Sequence, residues 1–197
     1  MKKLDSSLRN MVVVLVAVAM VTGGLLATVN RFTAEPIREQ AAKMLAEGIR
    51  KVMGGQEVEV MSAETLHLTI DKKDATFVLH KVKGGGAAVE SSTMGYGGAL
   101  RVLVGFSPEG IILGYTVLQH AETPGLGAQA GEWFQSGKKG NIIGRSAAAS
   151  PLTVRNDGGD VDAITASTIT SRAFLKAINQ AYQAFRTSEA NLTTKQQ

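Results

Sequence analysis

Asp162, Thr165, Ser167, Thr168, Thr170 and Ser171 bring one carboxylate and five hydroxyls into a ten-residue stretch. Hydroxyls at that density can hold an anion by hydrogen bonds, or one of them can become the oxygen of a phosphoester. The stretch leads into Ala173, Phe174, Ala177, Ile178, Ala181 and Phe185, whose spacing keeps one face of a helix apolar. Thr170 or Ser171 is placed to cap that helix. A helix start presents unpaired N–H groups and the positive end of the backbone dipole, which favours a phosphate beside it. The same composition also serves ordinary caps and turns, so the cluster alone leaves both uses open.

A second constellation runs His120-Ala121-Glu122-Thr123-Pro124-Gly125-Leu126-Gly127-Ala128 and is followed by Trp133-Phe134. Pro124-Gly125 suits the centre of a type II turn, and Gly127 lets the backbone approach another surface closely. Such a loop either holds a ligand or turns the chain into a helix near Gln129. A threonine hydroxyl is a poor nucleophile unless a base, a metal or a second enzyme activates it. The chain has no metal-ligand cluster, so modification of a hydroxyl here is expected to need another protein. A hydrolase with His120 as base is the competing chemistry, but no nucleophile elbow accompanies it.

The elements that must position these residues follow from the rest of the chain. Its 197 residues suffice for one well-cored domain with a small appendage. The net charge of +4 comes from dispersed basic residues without interleaved aromatics, which argues against nucleic acid. Cysteine is absent, which excludes disulfides and thiolate-held iron–sulfur clusters. Met11 to Val29 is uncharged and apolar over about 28 Å as a helix, enough to cross a bilayer. It is longer than a signal-peptide core and lacks a clean cleavage site, so it reads as a retained anchor. Lys2, Lys3 and Arg9 before it balance Arg31, Arg38 and Lys43 after it, and the α-amino group tips the N-terminus toward the cytoplasm.

Thr33 to Met53 has helical periodicity through Ile37, Ala41, Met44, Leu45, Ile49 and Val52, and Gly54-Gly55 ends it. Strand-like runs follow at Leu66 to Asp71, Ala75 to Val82, Ala99 to Phe106 and Ile111 to His120, with Ser107-Pro108-Glu109-Gly110 as an antiparallel turn. Gly84-Gly85-Gly86 and Gly95-Tyr96-Gly97-Gly98 interrupt the strands. The expectation is an α+β fold: a single N-terminal transmembrane helix, then a twisted antiparallel sheet flanked by helices. The tail from Thr187 is polar and expected to be loose.

The N-terminal anchor, Gly95-Tyr96-Gly97-Gly98, the Glu122-Thr-Pro-Gly-Leu-Gly loop and Asp162-x-x-Thr-x-x-Thr168 occur in the order seen in one family. Together they resemble the FMN-binding domain of the RnfG subunit of Rnf electron transport complexes and of the related NqrC subunit of sodium-pumping NADH:quinone reductases. The resemblance covers nearly the whole chain, and the short length favours RnfG. It implies FMN carried by a phosphoester on the last threonine of a Ser/Thr-Gly-Ala-Thr motif, here Thr165-Ala166-Ser167-Thr168, with Ala-Ser in place of Gly-Ala. It also implies a magnesium-dependent flavin transferase using FAD, and membrane and peripheral partner subunits.

On this reading FMN is covalent on Thr168. Asp162, Thr165, Ser167, Thr170 and Ser171, with Glu122, Thr123, Gly125, Leu126 and Gly127, complete the cofactor-binding set. No residue is assigned a catalytic or metal-binding role. Trp133, Tyr96 and Phe134 are candidate ring neighbours or core; His67 and His80 read as structural. The implied organisation is a cytoplasmic segment 1–10, a transmembrane helix 11–29, a helical connector 30–56, an FMN-binding domain 57–187 and a tail 188–197. The domain is then periplasmic on an inner-membrane anchor, carrying electrons in a complex that couples ferredoxin/NAD chemistry to ion translocation. The rivals are an NqrC-like subunit and a non-redox envelope scaffold.

Overall fold

A computed structural model describes residues 8–55, 58–70, 72–148 and 150–195. Residues 1–7, with the Lys2 and Lys3 of the charge count, Asp71 at the end of an expected strand, and Gln196 and Gln197 of the tail lie outside the described residues. The apolar run and the amphipathic run after it form one helix, α1 (Leu8–Val52). Nothing between Val29 and Thr33 breaks it, and it passes through Pro36, whose ring nitrogen cannot join the helical ladder. The hydroxyls of Thr22, Thr28 and Thr33 donate to the carbonyls of Val18, Gly24 and Val29 at 2.8, 2.7 and 2.9 Å. Within the apolar part the hydroxyls of Thr22 and Thr28 are therefore already satisfied, as a bilayer requires. It is long and apolar enough to cross a membrane.

Five strands follow as an antiparallel meander in the order β1 (Val60–Ile70), β2 (Lys73–Val82), β3 (Ala87–Met94), β4 (Ala99–Phe106) and β5 (Ile112–Gln119). The two glycine clusters are the turns on either side of β3, a strand not expected from its small and polar residues. Ser107–Gly110 is the expected turn, closed by the Gly110 N–H on the Ser107 carbonyl at 2.9 Å. One sheet face carries Phe77, Leu79, Val89, Leu100, Val102, Val104 and Phe106, which meet Phe174, Leu175, Ile178 and Phe185 of the C-terminal helix α3 (Thr168–Lys195). The opposite face receives the end of α1, with Ile49 and Val52 against Val82, Ala88 and Leu103. Gly105 and Gly114 are cross-strand partners, and a methyl group on either would run into the backbone of Val52.

A short helix, α2 (Ala130–Trp133), forms where a helix near Gln129 was expected. Buried Tyr115 holds it: the phenol donates to the Ala130 carbonyl at 2.8 Å and accepts the Phe134 N–H at 3.1 Å. Burial pushes that phenol well above its ordinary range. Phe134 stacks on Phe174 at 4.4 Å, which ties α2 to the first turns of α3. That helix continues past Thr187 where a loose tail was expected. Ser188 is buried and its hydroxyl reaches Glu64 of β1 at 3.4 Å, so this end is tied to the sheet.

Candidate functional site

Glu122 is the organising residue of the loop after β5. Its side chain is buried, and its two oxygens face two different elements. Oε1 accepts the Gly97 N–H at 3.2 Å from the β3–β4 turn, and Oε2 accepts the Thr170 hydroxyl at 2.7 Å from α3. Three glycines line the carboxylate. A methyl on Gly95 would strike Oε1, one on Gly97 the carbonyl of Ala121, and one on Gly127 both Oε2 and the Thr170 hydroxyl. The close approach expected of Gly127 is thus an approach to a buried carboxylate.

The loop then closes as expected. The Leu126 N–H donates to the Thr123 carbonyl at 3.1 Å, and Gly125 sits at φ +75°, the third position of a type II turn. The Ala128 N–H reaches the same carbonyl at 3.2 Å, and the Gln129 amide donates to the Gly125 carbonyl at 2.6 Å. His120 stands at the loop entrance, its Nδ1 accepting the Glu122 N–H at 3.2 Å.

The hydroxyl-rich segment approaches α3 through a turn in which the Ser167 N–H donates to the Ile164 carbonyl at 3.0 Å. Ala166 occupies its third position at φ +59°, the left-handed region that costs a residue with a Cβ. The helix starts earlier than the sequence suggested, since the Ser171 N–H already bonds the Ser167 carbonyl at 3.0 Å. Neither Thr170 nor Ser171 is therefore the cap. Thr170 serves Glu122, while the Ser171 hydroxyl accepts the Ile164 N–H at 2.9 Å and donates to the Ser167 carbonyl at 3.0 Å. Both hydroxyls are buried. Thr165 is exposed and Ser167 and Thr168 are half-buried; none of these three side chains hydrogen-bonds to another described residue.

Asp162 is engaged on both its groups. Its carboxylate pairs with Arg155 at 2.6 Å, and its carbonyl accepts the Trp133 indole N–H at 2.8 Å. Asp157 and Asp160 pair with Arg172 and Arg145, each at 2.7 Å. Arg172 holds the exposed Asp157 carboxyl below the usual carboxylate range through its hydrogen bonds. The approach to α3 is thereby tied down by three arginines, each pair weak singly.

Glu122, Thr123, Leu126, Gly127, Ser167, Thr168 and Thr170 line one cavity of about 470 Å³ with Tyr96, Ala166 and Ile169. Of the expected site residues, Asp162, Thr165, Gly125 and Ser171 lie outside that lining. The three aromatic candidates separate clearly. Phe134 is core, Trp133 is engaged by Asp162, and Tyr96 stands exposed on the rim. Sequence reasoning missed the joining of the Gly95–Gly98 turn to Glu122; the glycine density there was the available signal. The cavity brings together a Thr168 hydroxyl without a hydrogen bond to another described residue, the first N–H groups of a long helix, and apolar walls beyond.

Comparisons with known proteins match two parts of the chain to family models and most of it to curated relatives. The family model described as FMN-binding domain matches residues 95–183, and that of the RnfG N-terminal region matches residues 1–52. The G subunit of the ion-translocating oxidoreductase complex of Vibrio atlanticus is 33% identical over 186 residues, covering 86% of each chain. Its counterpart in Shewanella baltica is 30% identical over 187 residues, covering 88% of this chain and 87% of its own. The G subunit of the Na(+)-translocating ferredoxin:NAD(+) oxidoreductase complex of Acetobacterium woodii is 33% identical over 123 residues, 62% of this chain and 56% of its own.

Proposed function

The chain belongs to the RnfG family, the G subunits of ion-translocating oxidoreductase complexes, and from that premise we propose that it carries electrons through FMN joined covalently to Thr168. It works as a flavoprotein subunit of an Rnf-type complex that couples electron transfer between ferredoxin and NAD to ion translocation. The first part of α1 anchors it in the inner membrane with the FMN-binding domain on the periplasmic side. The isolated subunit has no turnover of its own. The observation that carries this reading is that Thr168, whose side chain has no hydrogen bond to another described residue, lines a cavity at the start of α3 inside the region matched as an FMN-binding domain.

Attachment needs a partner enzyme. Among the described residues no group of three or more potential metal ligands exists, and Asp162 is already paired with Arg155. A flavin transferase with bound magnesium supplies activation. Thr168 Oγ1 attacks the FMN-side phosphorus of FAD, the bond to the bridging oxygen breaks, AMP leaves with that oxygen, and the hydroxyl proton passes to the transferase. Bound FMN supplies the one- and two-electron chemistry that side chains lack. The chain's own residues orient it: the α3 N-terminus favours the phosphate charge, and the Glu122–Thr170 pair keeps loop and helix in register.

Peptide mapping after expression with and without the transferase tests the assignment. The expected result is one FMN on Thr168, absent without transferase and absent in Thr168→Ala, which still folds. Thr165, Ser167, Thr170 and Ser171 are the internal controls, and FMN on any of them overturns the reading. A reporter fused after Gln197 that works only in the cytoplasm overturns the topology.

A further inference from the structure

β1 is an open edge. Among the described residues it pairs only with β2, and no strand lies along its other side. A long unpaired edge is a template for a further strand unless something guards it. At its last residue, Ile70, the edge meets a cavity of about 350 Å³ between α3 and residues 151–154. This cavity shares no lining residue with the one at Thr168. Gln180 marks it as a site. The Gln180 residue is only 8% exposed, lines the cavity, and its side chain makes no hydrogen bond to another described residue. An amide held that deep calls for a partner for both its donor and its acceptor. The residue before it shows what such a partner looks like. Asn179 holds the backbone of Leu152 on both sides, accepting its N–H at 2.8 Å and donating to its carbonyl at 2.9 Å, while the Leu152 side chain enters the core. Gln180 and Gln183 present the same amide chemistry on the same wall.

We propose that this cleft and the β1 edge together receive an extended segment of another subunit of the complex. The segment adds a strand to β1, places an apolar side chain among Ile70, Leu152 and Leu175, and has a peptide group held by Gln180 as Leu152 is held by Asn179. This rests on the chain's place in a multi-subunit complex and not on flavin attachment. An extended peptide is the occupant because a carboxamide matches a peptide group in both donor and acceptor, and because the neighbouring strand offers a ladder that continues it. Backbone bonds along β1 then supply affinity, and the cleft supplies specificity. Charge sets the composition of the segment. Arg172 and Lys176 border the cleft against one carboxylate, Asp157, which Arg172 already holds through two hydrogen bonds of 2.7 Å. An acidic residue beside the apolar anchor is therefore favoured.

The test compares the full chain alone with the complex assembled around it, both in detergent. Amide hydrogen exchange over residues 60–70 is expected to slow by about tenfold on assembly, since ladder hydrogen bonds must open before exchange. Gln180→Leu is expected to reduce that protection by about fivefold, the effect of one lost hydrogen bond. Should Gln180→Leu fold poorly, the exposed Gln183→Leu carries the same comparison. A photoreactive benzophenone side chain in place of Gln183 is expected to join one segment of another subunit, read by mass spectrometry as an apolar residue with an acidic neighbour. The same group in place of Leu113, on the opposite edge strand β5, is expected to miss that segment. Thr168→Ala is expected to leave these readings unchanged, so failure of flavin attachment does not imitate failure of this interface. Unchanged exchange on assembly, or crosslinks only to detergent, lipid or a small molecule, overturns the proposal. Protection that neither glutamine variant alters removes the cleft from it.

Discussion

Thr170 and Glu122 lie 48 residues apart and are joined by a 2.7 Å hydrogen bond from hydroxyl to carboxylate, with both side chains buried. The Gly97 N–H reaches the other oxygen, so one carboxylate ties the β3–β4 turn, the loop after β5 and α3 together. Removing one partner of a buried charged group exposes the cost of its desolvation. Thr170→Val is expected to cost about 1.5 to 3 kcal/mol in chemical denaturation. Thr170→Ser keeps the donor and is expected to lose less than about 1 kcal/mol. Equal losses for the two variants would show that the pair contributes packing and no hydrogen bond.

Ala166 strains in a turn that glycine makes freely. A left-handed residue with a Cβ is penalised by about 1 to 2 kcal/mol, against roughly 0.5 to 1 kcal/mol for the greater unfolded-state freedom of glycine. Ala166→Gly is therefore expected to stabilise by up to about 1 kcal/mol. Ala166→Val, branched at the same φ of +59°, is expected to destabilise. Melting curves of the two variants check the sign, and a stabilising valine would refute the turn geometry.

Glu90 links His80 at 2.9 Å and Arg101 at 2.9 Å on the sheet face opposite α3. Burial alone would raise its carboxyl, but the hydrogen bonds and charges of His80 and Arg101 outweigh it, so it titrates below the ordinary 4.5. A depressed carboxyl contributes stability above its unfolded value and loses it as pH falls through the folded one. Denaturation at falling pH below about 4.5 is expected to show a steeper loss for the unsubstituted protein than for Glu90→Gln. Parallel profiles would contradict the linkage.

Gly105 and Gly114 leave room for the end of α1. Gly105→Ala places a methyl against the Val52 backbone and is expected to cost about 1 to 3 kcal/mol through overpacking. Val52→Ala, which shortens a fully buried side chain without touching that backbone contact, is not expected to relieve it. Urea unfolding of the single and double variants checks this, and recovery in the double variant would place the clash on the side chain.

The helices were legible because their apolar spacing is long and regular. The 3.6 rhythm of Phe174, Ile178 and Phe185 gave α3, and the turn residues Pro124-Gly125 and Pro108-Gly110 gave two loops. β3 was not legible, since Ala87, Val89, Ser91 and Thr93 face α3 with small or polar groups that produce no strong alternation. The helix start was misread because Thr170 and Ser171 direct their hydroxyls to distant or preceding partners, which local capping logic cannot see. Glu122 was legible as part of a motif, but its place among Gly95, Gly97 and Gly127 depends on three segments meeting in space.

The core between the sheet and α3 closes on its own side chains, with Phe106 stacked on Phe185 and Phe134 on Phe174, and Thr168 stands outside it. The core thus closes without any group on Thr168. With attachment at Thr168 as proposed, a chain that has never met the transferase reaches the same shape as a loaded one, so proteases and chaperones that inspect folding cannot tell them apart. The fraction of complexes able to pass electrons is then set by transferase and FAD supply during biogenesis, and an unloaded subunit can occupy its place as a silent break in the circuit.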